Sequence, residues 1–304
     1  MKLSACMIVK NEEHTLKRAL DSIAQLADEI IIVDTGSTDK TTTIAQHYTN
    51  NIYHYAWNNN FSDARNYSLS KATGDWTLVL DADEMIARED HEAIRKLITN
   101  NDFIAYAFPQ ISYTNDTTQY NYTPITPHHK YEAYANNFTG YISCNIVRLF
   151  RNKNIHFTGA VHESADDSCK AQGNISTTDI WIHHYQFERG QEHLKQKQLA
   201  YLRIYEDNLD TYHDKARAHR DIGSIYYTYL QDYDTAITHF KQSLNLNKNN
   251  KKTHIGIGLC YLQKKQFNNA HATFNNALTL FPNDQQLHHL IIYTRQFIER
   301  FIKD

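Results

Sequence analysis

Residues 78–85 read Leu-Val-Leu-Asp-Ala-Asp-Glu-Met, an apolar run that ends abruptly in three carboxylates, Asp81, Asp83 and Glu84. An Asp-x-Asp pair at a strand end is a recurrent way to hold a hard divalent cation that a diphosphate also binds. Alternate residues of an extended strand face opposite ways, so both carboxylates reach one site only where the strand has already bent into a loop. Asp83 is then the direct ligand, and Asp81 lies nearer a ribose or a metal-bound water. The plainer alternative is a turn of solvated acids, and Glu84 is expected to be one of these.

The elements that must carry these groups alternate. Residues 3–10 form an apolar run that predicts a buried strand, and Leu16, Ala19, Leu20, Ile23 and Leu26 recur at helical spacing. A β-branched run, Ile30 to Val33, ends at Asp34; Gly36 and Ser37 turn the chain, and Ser37 or Thr38 is expected to cap a helix starting near Lys40. A helix from about Ser62 to Ala72, a turn at Gly74-Asp75 and the strand ending at Asp81 repeat this grammar. Such βαβα order predicts a mainly parallel sheet with right-handed crossovers. In these sheets ligands bind beyond the carboxyl ends of the strands. The polar clusters Lys10-Asn11-Glu12, Asp34-Thr35-Gly36-Ser37 and Asp81-Ala82-Asp83-Glu84 all fall there. Taken singly, Asp34 also fits a helix-capping acid and Arg65 a surface helix residue.

Between residues 103 and 181 Tyr, Asn and Thr abound and the periodicity is mixed. Two pieces stand out: a short strand, Ile146 to Phe150, followed by a Gly159 turn and His162-Glu163, and a strand-like run ending in His183-His184. Beyond residue 190 helices take over. Ala236, Phe240 and Leu244 recur as Ala270, Phe274 and Leu278, and Gly223 and Tyr226 recur as Gly258 and Tyr261. Gly258, Tyr261, Phe267, Ala270, Phe274, Ala277 and Pro282 stand at tetratricopeptide-repeat spacing. The earlier copy carries one extra residue between its helices and Lys248 in place of the closing Pro. Two repeats need support, so a bridging helix before them and a capping helix from about Gln285 are expected. The domains are then 1–190, an α/β catalytic domain; 191–215, the bridging helix; and 216–304, an all-α repeat domain.

Composition narrows the function. The chain has 304 residues, 31 Lys plus Arg and 34 Asp plus Glu, for a formal charge of -3. Nucleic acid is not expected as a partner, because a phosphate-binding face needs a basic excess. Cys6, Cys144, Cys169 and Cys260 have no finger or redox spacing, which fits reduced thiols in a cytoplasm. No run approaches the length of a transmembrane helix, and the N-terminal apolar stretch is too short for a signal peptide. A cytoplasmic protein is expected.

Together, the segments around Val9-Lys10-Asn11, Asp34, Ser62-Asp63-Ala64-Arg65-Asn66, Asp81-Ala82-Asp83-Glu84 and Phe157 to Glu163 resemble family 2 glycosyltransferases of the GT-A fold. The branch is the one with C-terminal tetratricopeptide repeats, which includes glycocin S-glycosyltransferases and is related to lipopolysaccharide-core glucosyltransferases. The resemblance implies that Val9, Lys10 and Asn11 line a nucleotide-base pocket. It also implies that Asp34 binds uridine, that Asp63 and Arg65 face the nucleotide or donor, and that Asp81 lies by the nucleotide. Mn2+ or Mg2+ would be held by Asp83 with Asp81 and by His184, with His162 and His183 as competing histidines. Glu163 would be the catalytic base, with Asp166 and Asp167 the nearby alternatives. The implied reaction is inverting transfer of a hexose from a UDP-sugar to a peptide, protein or glycan acceptor. Where the acceptor is a thiol the demand on the base weakens, because sulfur ionises more readily. The repeats are expected to bind an extended partner or a second copy of the chain; Tyr226 and Tyr261 are expected to pack between helices. Rival readings are a lipopolysaccharide-core sugar transferase, a scaffold that has lost turnover, and a metal-dependent nucleotidyltransferase. Intact Asp34, Asp81, Asp83 and Glu163 disfavour a scaffold, and no Gly-rich basic loop after the first strand supports a nucleotidyltransferase.

Overall fold

The computed structural model describes residues 1–119, 121–212 and 214–301. The chain divides into two compact units, Met1–Leu194 and Lys195–Asp304. The first contains strands β1 (Leu3–Val9), β2 (Glu29–Asp34), β3 (Ile52–His54), β4 (Trp76–Val79), β5 (Glu84–Ile86), β6 (Ala105–Thr114), β7 (Thr123–Pro124), β8 (Gly140–Arg151), β9 (Ile175–Thr177) and β10 (Ile182–His184). Its helices are α1 (Leu16–Ile23), α2 (Thr41–Gln46), α3 (Phe61–Leu69), α4 (His91–Leu97) and α5 (Asp166–Lys170).

The strands form one sheet in the order β3-β2-β1-β4-β8-β6-β10-β5, with β7 on β8 and β9 on β6. Pairing is parallel from β3 to β4. It turns antiparallel where β8 joins β4 and β6, and again where β5 joins β10. The expectation of a mainly parallel sheet thus describes the first half only, and the whole sheet is mixed. The long β6–β8 pair lies in the segment whose Tyr- and Thr-rich sequence obscured its period.

Alternation along the strands builds two apolar layers. Leu3, Ala5, Met7 and Val9 of β1 join Leu16, Ala19, Leu20 and Ile23 of α1 on one face of the sheet. Cys6, Ile31 and Val79 point the other way, against Leu69 of α3 and Cys169 of α5. Each fully buried Leu or Ile contributes roughly 1.5–3 kcal/mol of transfer free energy, enough to hold the carboxyl ends of β1, β2 and β4 along one rim.

The second unit is helical: α6 (Gly190–Asn208), α7 (Lys215–Ile225), α8 (Tyr233–Leu246), α9 (Lys251–Gln263), α10 (Phe267–Leu280) and α11 (Gln285–Phe301), with the unit boundary falling inside α6. A Cβ at Gly258 would lie 2.1 Å from the Phe274 ring, and one at Gly223 would lie 2.8 Å from Phe240. The recurring glycines and phenylalanines are therefore one packing device used twice. The extra residue of the first copy is absorbed at the end of α7 as a wider, π-helical turn, Tyr226–Leu230, closed by Gln231 at φ 54°. Tyr226 packs on the α8 cluster, and Tyr261 packs on both repeat clusters.

Candidate functional site

The loops after β1 and β2 are tied to each other. Asn11, in the left-handed region at φ 56°, donates its N–H to Ser37 Oγ at 3.0 Å, and its Oδ1 accepts the Thr38 N–H at 2.8 Å. The Val9 side chain is buried in the core; its carbonyl accepts the Thr35 N–H and hydroxyl. Lys10 is exposed beside them. Ser37 and Thr38 are engaged by Asn11 and do not cap α2. The N-cap position falls at Lys40, which makes no side-chain cap bond, and the Thr41 N–H is taken by Asp39, one position before it, at 2.9 Å.

Asp34 is buried at the end of β2 and accepts the N–H groups of Gly36 (3.3 Å) and Ser37 (3.1 Å), bonds within its own loop and not a helix cap. His54, at the end of β3, places Nδ1 3.3 Å from Asp34 Oδ2. Sequence reasoning passed over this histidine, although the alternating Ile52-Tyr53-His54-Tyr55 segment carries a short-strand signal.

Helix α3 is capped by Asn60, whose Oδ1 accepts the Asp63 N–H; the Asp63 carboxylate in turn accepts from Asn58 Nδ2 at 2.7 Å. The helix is stitched to residues 157–160. Phe61 N–H donates to Ala160 O, Ser62 Oγ to Gly159 O, and Asn66 exchanges two bonds with the Phe157 backbone. Gly159 supplies φ 100° for the turn, a conformation that costs a side-chain-bearing residue heavily. Two motifs nearly a hundred residues apart are thereby joined, and Glu163 arrives beside Arg65.

Arg65 is 4% exposed, so it is a buried residue and not a surface one. Its Nε lies 2.6 Å from Glu163 Oε1, and its Nη2 lies 2.5 Å from Asp81 Oδ1. The other oxygen of Asp81 accepts from Arg148 Nη2 at 2.7 Å, and the same nitrogen reaches Glu84 Oε1 at 2.9 Å. Glu84 is 0% exposed; its second oxygen accepts the Asp81 N–H at 2.8 Å, and Gln110 donates to Oε1 beside Arg148. The expectation of a solvated Glu84 is therefore corrected. The chain turns after Asp81, β5 starts at Glu84, and that register sends the side chain inward toward β8 and β6. Burial would strip the charge from both guanidiniums. Asp81 more than offsets it, together with Glu163 at Arg65 and Glu84 at Arg148, and both stay raised above the ordinary arginine value.

Asp83 is directed elsewhere. Its Oδ2 lies 3.4 Å from His184 Nε2, and His184 Nδ1 is 2.9 Å from Ser112 Oγ on β6. The neighbouring His183 faces the opposite side of β10, as strand geometry requires. It is fully buried, bonded through Nδ1 to Tyr113 at 2.7 Å and packed on Tyr134. Burial, with Lys130 and His129 adding to it, lowers its pKa to about 3, so it is a neutral packing residue. His162 is exposed at φ 51°.

The strand-end acids thus separate into two sets: Asp81 and Glu84 toward the arginines, Asp83 toward His184. Among the described residues no three His, Cys, Asp or Glu side chains converge to hold a metal ion. A carboxylate and an imidazole that meet at 3.4 Å, the imidazole fixed from behind by a hydroxyl, nonetheless fit a cation that takes its remaining ligands from water and a diphosphate. Asp81 offers less, since both its oxygens face guanidinium nitrogens. Arg148, Ser112 and Gln110 were not foreseen. Only Arg148 lay in a motif that sequence reasoning had noticed, the Ile146–Phe150 strand.

Comparison with known proteins places this architecture. The glycosyl transferase family 2 model matches residues 4–156, half of the chain, and a tetratricopeptide-repeat model matches residues 229–291. A TPR repeat-containing protein of Synechococcus elongatus is 33% identical over 208 residues, covering 66% of this chain and 45% of that protein. The SPbeta prophage-derived glycosyltransferase SunS of Bacillus subtilis is 25% identical over 206 residues, covering 67% of this chain and 44% of SunS. The chain spans about half the length of these curated relatives. Among solved structures, S. aureus TarS 1-349 in complex with UDP-GlcNAc is 15% identical with a TM-score of 0.49, covering 97% of this chain and 92% of that one. With a mixed sheet whose strand ends gather Asp34, Asp81, Asp83 and His184, followed by tetratricopeptide repeats, the chain belongs to glycosyl transferase family 2.

Proposed function

We propose that the chain is a nucleotide-sugar-dependent glycosyltransferase that moves a hexose from a UDP-sugar to a peptide or protein acceptor with inversion at the anomeric carbon. The observation that carries this reading is the division of labour at the strand ends. Asp83 meets His184 on one side, and Glu163 is held by Arg65 on the other, with Asp81 joined to the same guanidinium.

Asp83 and His184 would hold Mn2+ or Mg2+, which when bound supplies charge compensation for a departing diphosphate. Asp34, with Asn11 and Lys10 nearby, would take the nucleoside, and Asp63 would shape the loop beside it. Glu163 acts as the base. It removes the proton from the acceptor hydroxyl or thiol while that atom's electron pair forms the bond to the anomeric carbon. The bond from that carbon to the diphosphate breaks, and its electron pair leaves with the nucleotide. Arg65 fixes the carboxylate that receives the proton.

Family membership supports transfer of a sugar. The repeats, a module that lines extended surfaces, support a peptide acceptor over a lipopolysaccharide core. No described helix is long and apolar enough to cross a membrane, and the reading places the enzyme in the cytoplasm, where nucleotide sugars are available. The test is a panel of UDP- and GDP-sugars incubated with the protein, with and without manganese, measuring free nucleoside diphosphate. Release from a UDP-hexose that disappears in Asp83→Ala supports the proposal; silence across the panel, with no UDP binding by calorimetry, refutes it.

A further inference from the structure

The ion pairs around Asp81 form one unbroken chain. From the acceptor side it runs Glu163 to Arg65 at 2.6 Å, Arg65 to Asp81 at 2.5 Å, Asp81 to Arg148 at 2.7 Å and Arg148 to Glu84 at 2.9 Å. Side-chain exposure falls from 28% at Asp81 to 10% at Arg148 and 0% at Glu84. These charges therefore interact with little screening by water. Two guanidiniums face three carboxylates. Glu163 and Glu84 are the two end members of the chain, each joined through a single arginine nitrogen.

We infer that Arg148, a strand residue of β8 bonded to no candidate substrate group, is a positioning residue that sets Glu163 for proton removal through Asp81 and Arg65. A single nitrogen of Arg148 spans Asp81 Oδ2 and Glu84 Oε1, while the other Glu84 oxygen holds the Asp81 backbone N–H. That closed triangle fixes the Asp81 carboxylate in the orientation that presents Oδ1 to Arg65. Without it, Asp81 loses the contact that sets the orientation of its second oxygen, and the anchor it gives Arg65, and through Arg65 the direction of Glu163, is less sharply fixed. Lysine offers one nitrogen to the same two oxygens, but on a flexible stem without the rigid guanidinium plane that fixes where this nitrogen sits. The buried Arg148 Nε and Arg65 Nη1 have no hydrogen-bond partner, so neither guanidinium is placed by the number of bonds it makes. The acids dictate the geometry.

This inference rests on the reading of Glu163 as base, and a double-mutant cycle separates the two. Arg148→Lys, Glu163→Gln and the pair are assayed for UDP release from whichever of UDP-glucose and UDP-N-acetylglucosamine the wild type hydrolyses, with UDP calorimetry and thermal unfolding of each variant. Arg148→Lys is expected to lower kcat about tenfold or more, with KM and the UDP Kd within about threefold of wild type. In the Glu163→Gln background it should cost less than about twofold. Additive losses, or a fall confined to KM, overturn the inference while leaving Glu163 as base. Full activity in Glu163→Gln, or no release by the wild type, overturns the base assignment and this inference with it. Glu84→Gln neutralises the far anchor while leaving both arginine residues in place and should show the same non-additivity; an additive result there also overturns the coupling.

Discussion

Arg148→Met removes the cation shared by Asp81 and Glu84 and leaves a fully buried carboxylate without its ion partner. Breaking a buried pair from one side costs about 3–5 kcal/mol, because the remaining charge keeps its desolvation penalty and loses its compensation. Asp81 retains Arg65, and Glu84 retains Gln110 and the Asp81 N–H, so the lower end, about 3 kcal/mol, is expected. With a urea slope of about 1–3 kcal/mol per molar, the midpoint should fall by roughly 1–3 M. Trp57, Trp76 and Trp181 all lie in the first unit, so tryptophan fluorescence follows this unit alone and avoids treating a two-unit chain as two-state. Glu84→Gln added to Arg148→Met should recover about 1.5 kcal/mol or more, since a neutral amide keeps the shape without the stranded charge. A loss below about 1 kcal/mol in Arg148→Met, or strict additivity in the double variant, would refute the claim that these charges depend on one another.

Other consequences follow from single contacts. Glu29 accepts from Lys2, Ser4 and twice from Thr73; burial alone would raise its pKa, but these donors override it and bring it down to about 2. A depressed carboxylate stabilises above its unfolded value and loses that contribution as pH falls. Glu29→Gln should therefore cost on the order of 3 kcal/mol at pH 7, and this deficit should vanish between about pH 4.5 and pH 2 in fluorescence-monitored unfolding. Gly258→Ala drives a methyl into Phe274 and should destabilise the repeat unit by about 1–3 kcal/mol, seen as earlier loss of helical circular dichroism while tryptophan fluorescence is unchanged. His184→Ala and Asp83→Asn should each raise the manganese concentration for half-maximal UDP release by about tenfold or more, whereas His183→Phe should leave it within about twofold. Equal effects at His183 and His184 would contradict the facing read from β10.

The rim of the site was legible because each of its strands ends where an apolar run meets acids or amides: Val9 before Lys10-Asn11, Val33 before Asp34, Leu80 before Asp81. Hydrophobic periodicity reports these transitions directly. The repeats were legible for a similar reason, since a glycine must face a phenylalanine once per copy and the pairing recurs at fixed spacing. What lies between side chains distant in sequence was not legible. Nothing local distinguishes a buried Glu84 from a solvated one, because the partner that neutralises it, Arg148, sits 64 positions away on a strand whose register is set by pairing with β6. The same holds for Asp81, whose spacing suggested a metal and whose oxygens face two arginines. The antiparallel half of the sheet was missed where polar aromatic residues serve the buried cluster of Tyr113, Tyr131, Tyr134 and His183, a pattern that propensity reads as loop.

The most direct test of the central claim is proton NMR of the sugar released from an α-linked UDP-hexose by the purified protein, recorded before mutarotation and beside Glu163→Gln. A single displacement by water predicts β-anomer as the first product and at least about hundredfold slower release in the variant. α-Anomer as the first product, or unchanged release in Glu163→Gln, would contradict it.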